Sequence, residues 1–292
     1  MFVSDTVVFV ELHKTGGTHI RNALLDLVGG ECIGKHNQIE GSMLGSGRVF
    51  LGSVRDPWEW YVSLWAFGCD GKGSVHNRVT RPGAPPWDWR GWLRHPRSAA
   101  AALRSALTRD PERWKRVYAD PSDTGAFREW LAMMHDPRYR RDYVEGYGTS
   151  PVSDVVGLLT YRYLKLFCCP LELTPAMKAL SSFPAVQRFE QEHCFIDHFI
   201  RNEQLEQDLL AALTSAAVRM PEENVRKFRS APRTNVSSRN RRTGHYYDAA
   251  SRQLVLEREQ LMIDRFGYRP PALETEAAAG GTAAAQPQAA SS

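Results

Sequence analysis

The residues best suited to chemistry in this chain are cations and hydroxyls placed where strands should end. Lys14 leads into Thr15, Gly16, Gly17 and Thr18, directly after the apolar run Val7–Val10. A short, β-branched-rich run of this kind predicts a strand covered on both faces. The two glycines permit positive φ and a close backbone approach to a ligand. Ile20, Ala23, Leu24, Leu27 and Val28 then recur at helical spacing, with Thr18 as the expected cap. A helix N-terminus offers unpaired N–H groups and the positive end of a dipole, so it attracts anions. Lys14 adds a point charge, and the chemistry indicated is capture of a phosphate or a sulfate. The loop is not a Walker A motif, which ends in Gly-Lys-Ser/Thr; here Lys comes first and the glycines follow.

A second cation occupies the same kind of position. Arg48–Val54 reads as another strand, leading into Arg55-Asp56-Pro57. Asp56 is a good N-cap and Pro57 suits the first turn, with Trp58, Tyr61, Val62 and Trp65 at helical spacing behind them. Arg55 therefore stands at the carboxyl end of a strand, the edge at which open parallel sheets bind ligands, and Ser63 lies two turns along the helix. His36 sits in the polar loop Gly29–Gly41 between these two units. Arg239, Arg241 and Arg242 cluster in Arg226–Arg242, a Ser-, Asn- and Pro-rich basic segment expected to be a loop that can close on phosphate.

These side chains need a scaffold, and the remaining pattern supplies one. Gly157–Cys169 is an amphipathic helix ended by Pro170, and Phe195–Arg201 is a third strand. Glu203–Ala217 is a helix capped by Asn202, and Tyr247–Phe266 is a final helix stopped by Gly267. Strand–helix alternation predicts an α/β domain over residues 1–271, with a central parallel sheet flanked by helices. Residues 69–150 read as a mostly helical insertion, with helices at Ala99–Leu107, Pro111–Tyr118 and Gly125–Met134. Trp87, Trp89 and Trp92 with Arg90 and Arg94 are expected to pack between short helices; no nucleic-acid-binding signature accompanies them. Residues 272–292, made of Ala, Gly, Gln, Ser and Thr, are expected to be a disordered tail.

Composition excludes several classes. The chain has 292 residues, 42% hydrophobic and 24% charged, with net charge +4, the profile of a soluble globular protein. No apolar run approaches the ~20 residues of a membrane span, and no signal-peptide pattern is expected at the N-terminus. The 5 cysteines fit no disulfide framework, so reduced thiols in a cytoplasm are expected. Cys168, Cys169, His193, Cys194 and His198 match no structural zinc spacing, so no metal is expected.

Lys14-Thr15-Gly16-Gly17-Thr18, between a strand and a helix, resembles the 5′-phosphosulfate loop of sulfotransferases that use 3′-phosphoadenosine 5′-phosphosulfate (PAPS). Arg55-Asp56-Pro57-Trp58 with Ser63 resembles that family's 3′-phosphate motif, and the 41 residues from Lys14 to Arg55 suit the pairing. Phe199–Leu209 and Tyr246–Tyr268 look like the carbohydrate-type and bacterial branch, as does the Lys35-His36 pair. The likeness touches most of residues 6–68 and 157–269 and covers the middle poorly. It departs at the start of the loop. Where many relatives have His-x-Pro-Lys, this chain has Glu11-Leu12-His13-Lys14.

The resemblance implies a P-loop-like sulfotransferase fold and in-line transfer of a sulfuryl group from PAPS to an acceptor hydroxyl. Lys14 and the N–H groups of Thr15, Gly16, Gly17, Thr18 and His19 would stabilise the leaving oxygen. Arg55 and Ser63 would hold the 3′-phosphate, assisted by Arg239, Arg241 or Arg242. The acceptor's proton would go to His36, with His13 and Glu11 as the other candidate bases. PAPS is then the co-substrate, no metal is needed, and a sugar, phenol or other alcohol is the acceptor. The competing readings are a P-loop-like kinase or NTPase, disfavoured by the missing Gly-Lys-Ser/Thr and by Arg-Asp-Pro at the second strand end, and a non-catalytic nucleotide-binding module.

Overall fold

The computed structural model describes residues 1–81, 109–143, 146–230 and 242–274. Its sheet consists of β1 (Phe2–Val3), β2 (Val7–Val10), β3 (Glu31–Cys32), β4 (Val49–Val54) and β5 (His198–Arg201), in the order β3-β1-β2-β4-β5. The main helices are α1 (Gly17–Leu27), α2 (Pro57–Cys69), α3 (Ser74–Thr80), α4 (Pro111–Val117), α5 (Thr124–His135) and α6 (Leu158–Phe167). They continue with α7 (Phe183–His193), α8 (Leu205–Ser215), α9 (Glu222–Ser230), α10 (Thr243–Tyr246), α11 (Ala249–Arg258) and α12 (Gln260–Phe266).

Strands β2, β4 and β5, which make up one side of the sheet, are parallel, with Val10 opposite Gly52 and Val54 opposite Arg201, so all three end at one edge. The apolar run of β2 is buried on both faces, as a strand of this composition should be. Val7 and Phe9 face a layer built with Ile20, Leu24, Leu205, Leu209 and Phe228, from α1, α8 and α9. Val8 and Val10 face the larger layer, which holds α2, α6 and the C-terminal helices. The middle of the chain is built into that second layer. Trp65 of α2 donates its indole N–H to the Val117 carbonyl at 2.7 Å, and Trp130 of α5 donates to the Tyr118 hydroxyl at 2.6 Å. Buried indoles with partners of this kind tie α4 and α5 to α2 as core.

Several expectations are corrected. The sheet is parallel only over β2, β4 and β5, because β1 runs antiparallel to both β2 and β3. Glu31–Cys32 is a strand within the segment read as loop; its exposed side chains hide it from an apolar pattern. Strand β5 begins at His198 rather than Phe195, since Phe195 donates its N–H to Phe167 and Asp197 uses its carboxylate on the Phe50 N–H at 2.7 Å. Asn202–Gln204 is a 3-10 turn before α8, without a side-chain cap from Asn202. Residues up to Ser230 of the expected basic loop are helical, because Phe228 of α9 is buried against α1. The expected last helix is broken at Glu259, between α11 and α12. Ala272–Glu274 remain packed: Leu273 is buried in the core, and Glu274 accepts from His245 at 2.7 Å. The Trp87–Trp92 cluster with Arg90 and Arg94, the helix expected at Ala99–Leu107, and Arg239 and Arg241 lie outside the described residues.

Candidate functional site

The loop after β2 departs from the expected geometry at its first turn. Gly16, not Thr18, is the N-cap of α1, and Thr18 lies inside the helix. The helix starts early because the backbone enters the left-handed region twice, at Lys14 (φ 63) and Gly16 (φ 83). A Cβ on Gly16 would meet Leu205 Cδ1 at 2.7 Å and Asn202 Oδ1 at 3.0 Å, so the loop is wedged beneath the β5–α8 junction. Glycine is required there by conformation and by space. At Lys14, a non-glycine residue in this region is held by its surroundings and marks the loop as a built feature.

Thr15 anchors the loop from within. Its hydroxyl donates to the Leu12 carbonyl at 2.7 Å and accepts from Ser53 of β4 at 2.6 Å, with no solvent exposure. The Thr15 side chain therefore serves the fold, leaving only its backbone N–H for a ligand. His19 is buried against Phe228 at 5.5 Å between ring centroids, so it too offers only its N–H. Glu11 lies over Gly17 and faces Arg21, with Oε2 3.7 Å from Nε. A carboxylate beside the first turn of α1 already uses part of that helix's dipole. Anion attraction at the loop thus falls on Lys14 and its neighbours.

Arg55 is that neighbour. Asp56 and Pro57 start α2 as expected, Asp56 accepting the Glu59 N–H at 2.9 Å. Burial lifts the Asp56 carboxyl to about 6. Arg55 donates from Nη1 to the Lys14 carbonyl at 3.2 Å and from Nη2 to Glu59 at 3.0 Å. Glu59, Ser63 and Phe67 are spaced by four along α2 and share one face. The Lys14 ammonium lies 3.8 Å above the Phe67 ring. Ser63 therefore stands on the α2 face between the residue that holds Arg55 and the ring beneath Lys14, though it is buried. Thr243 donates to Glu59 at 3.1 Å, which brings the exposed Arg242, next to it in the chain, to the same end of α2. Burial first, and then the nearby Arg55 charge, lower the Lys14 amine to about 8. Lys14 and Arg55 thus bring two cations together at this sheet edge, Arg55 already paired with Glu59.

The histidines form the other half. His13 and His36 stack with ring centroids 3.5 Å apart and an interplanar angle of 15°. His36, itself at φ 54, directs Nδ1 to the Glu11 carbonyl at 2.9 Å. A carbonyl can only accept, so Nδ1 carries a proton and donates it. Burial, then the charges of Arg162 and His36, hold His13 far below the ordinary histidine range, so it stays neutral. Of the three candidate bases, Glu11 is turned to Arg21, the half-buried His13 is held neutral, and His36 donates Nδ1 to the Glu11 carbonyl.

The chain matches no family model, no curated protein and no solved structure. The geometry thus stands alone. It brings Lys14, Arg55 and Ser63 onto one helix face, with Arg242 close by, and stacks His13 on His36. It separates the Glu11 carboxyl and the Thr15 hydroxyl from a ligand. Sequence reasoning missed Glu59, whose spacing of four from Arg55 was a visible ion-pair signal. It also missed Trp60, which donates to the His13 carbonyl at 2.6 Å. Arg162 and Lys165 of α6, whose charges reach His13, gave no local signal.

Proposed function

We propose that the protein transfers a sulfuryl group from PAPS to an acceptor hydroxyl on a P-loop-like α/β scaffold. The observation that carries this reading is the meeting of Lys14 and Arg55. They leave the ends of two adjacent parallel strands, touch through Arg55 Nη1 and the Lys14 carbonyl, and share one face of α2. A nucleotide carrying both a 5′-phosphosulfate and a 3′-phosphate presents two anions to two such cations. Lys14 and the loop N–H groups would neutralise the oxygen that leaves with the nucleotide, as preorganised donors do in phosphoryl transfer. Arg55, Ser63 and Arg242 would hold the 3′-phosphate. His36 would take the acceptor's proton, with His13 as a neutral stacking support.

The test is a thermal-shift titration with 3′,5′-bisphosphoadenosine, PAPS, ATP and AMP, each with and without magnesium. A ligand at a hundred times its Kd stabilises by about 2.7 kcal/mol, a readily visible shift. The 3′-phosphorylated nucleotides should shift the melt without magnesium. A shift with magnesium-ATP alone would replace this reading by the kinase. Arg55→Ala should weaken bisphosphoadenosine by about 1.5–3 kcal/mol, on the order of ten- to a hundred-fold in Kd. An unchanged affinity would remove Arg55 from the donor site.

His36→Ala should lower turnover by roughly 10²–10⁴-fold, the ordinary contribution of a general base, while bisphosphoadenosine binding holds. Nucleotide release during an acceptor screen measures the first, and the thermal shift measures the second. Turnover close to wild type would assign the proton to another group.

A further inference from the structure

Away from this edge, two cysteines meet where helices end. Cys168 is the C-cap of α6 and Cys194 the C-cap of α7. The Phe195 N–H donates to the Phe167 carbonyl at 3.1 Å, joining the peptides that flank the two cysteines. Both Sγ atoms and a Glu190 carboxylate oxygen lie within 4.8 Å of one another. Cys168 is buried, whereas Cys194 is partly exposed, and neither is in a disulfide. The pair precedes β5, so it lies at the sheet edge opposite Lys14 and Arg55.

The surroundings of Cys194 favour a thiolate. Arg265 Nη2 approaches its sulfur at 3.8 Å and the Tyr163 hydroxyl at 3.7 Å. The hydrogen bond from the Cys168 thiol, working against burial and helped by the Ile196 N–H and Arg265, brings the Cys194 thiol down to about 6. Burial pushes the Cys168 thiol well above its usual range. A partly exposed sulfur thus stands beside the Arg265 cation, with an enclosed thiol next to it. A metal is the competing occupant of two thiols and a carboxylate. Arg265 opposes it, since Nη1 lies 2.5 Å from Glu190 Oε1, and Tyr163 donates to that same oxygen at 2.8 Å. The positive charge a cation would bring is already in place.

We propose that Cys194 and Cys168 form a hydroperoxide-reactive thiol pair, Cys194 being oxidised first and Cys168 resolving it. The Cys194 thiolate attacks one peroxide oxygen and breaks the O–O bond. With one proton taken up, this gives a sulfenic acid and the alcohol or water derived from the other oxygen. The Cys168 sulfur then attacks the Cys194 sulfur and expels the hydroxyl group as water. In sum, two thiols and one hydrogen peroxide yield one disulfide and two waters. The Phe195–Phe167 hydrogen bond ties the two backbones together beside the cysteines, and the two sulfurs lie within 4.8 Å of each other.

The test uses full-length protein and one equivalent of hydrogen peroxide at neutral pH, read by intact mass and peptide mapping. The expected product has lost two hydrogens, carries a Cys168–Cys194 cross-linked peptide, and returns to the starting mass with a dithiol reductant. Cys168→Ser should instead gain one oxygen at Cys194, trapped by a sulfenic-acid-specific dione. In unsubstituted protein, iodoacetamide labelling of Cys194 should have its pH midpoint near about 6, against about 8.5 for an ordinary thiol. Oxidation at the exposed Cys32 with Cys194 intact would overturn the proposal. So would stoichiometric retention of added zinc through gel filtration with both thiols protected.

Discussion

Replacing Lys14 by alanine should lower turnover by roughly 10²–10³-fold, the usual cost of removing one preorganised donor from a developing negative charge. It should do so without lowering the melting temperature at pH 7. The two expectations come from the same geometry. Lys14 is held in a left-handed conformation, partly buried, with Arg55 donating to its carbonyl. Its amine is pulled from 10.5 to about 8, chiefly by burial and then by Arg55. The sign follows from linkage. A lysine whose folded-state pKa is depressed binds fewer protons in the native state than in the unfolded chain between those two values. Its charge therefore opposes folding fully below about pH 8, and that opposition fades as pH rises toward 10.5. Alanine removes the opposition together with the contact to Phe67. For the unsubstituted protein, kcat/KM should fall as pH rises through about 8, because that ratio reports the free protein's titrations and an uncharged amine cannot neutralise the leaving oxygen. A melting temperature several degrees lower in Lys14→Ala, with turnover unchanged, would make this lysine a structural residue and take the catalytic reading with it.

The meeting of Lys14 and Arg55 at one sheet edge was legible because its signals are local. A β-branched run, adjacent glycines and an Arg-Asp-Pro at a strand end each act within a few residues of themselves. Asp56 caps α2 and Pro57 opens it as those residue types dictate. What stayed hidden depends on distant partners. Thr18 has the chemistry of a cap, yet the left-handed turn at Gly16 begins the helix before it, and that turn exists because Leu205 and Asn202 press on the loop from another part of the chain. Thr15 has a hydroxyl suited to phosphate, but Ser53, on a different strand, engages it. The antiparallel strands Phe2–Val3 and Glu31–Cys32 are two residues each, too short for any periodicity to register. The stacking of His13 on His36 joins two loops whose separation in sequence says nothing of their contact. Charged and hydroxylated side chains are ambiguous in this way: the same atom can serve a ligand or the fold, and only the neighbours decide.

Glu259→Ala should be among the most destabilising single substitutions, at about 3–5 kcal/mol, on the order of 10 °C in melting temperature. The helix expected over Tyr247–Phe266 breaks at this position, and the side chain is fully buried. Its carboxyl accepts from the Tyr61 hydroxyl, from the Thr160 hydroxyl at 2.6 Å, and from the N–H groups of Leu159 and Thr160 at 3.2 and 2.8 Å. Those two N–H groups belong to the first turn of α6, which has no side-chain cap of its own. Gly157 leaves the space the carboxyl fills and donates its N–H to the Arg258 carbonyl at 2.7 Å. Alanine would strand several buried donors at once, and an orphaned donor costs its full desolvation penalty of about 1–3 kcal/mol. Glu259→Gln keeps the shape and one acceptor oxygen, so it should recover part of the loss. The substitution should also reach the histidines, because α6 carries Arg162 and Lys165, whose charges bear on His13. Chemical denaturation of both variants measures the first effect. Loss of hydrogen-exchange protection over residues 158–167, spreading to the His13 loop, measures the second. A melt within 1–2 °C of the unsubstituted protein, less than about 1 kcal/mol on the same scale, would mean that α6 does not depend on this cap.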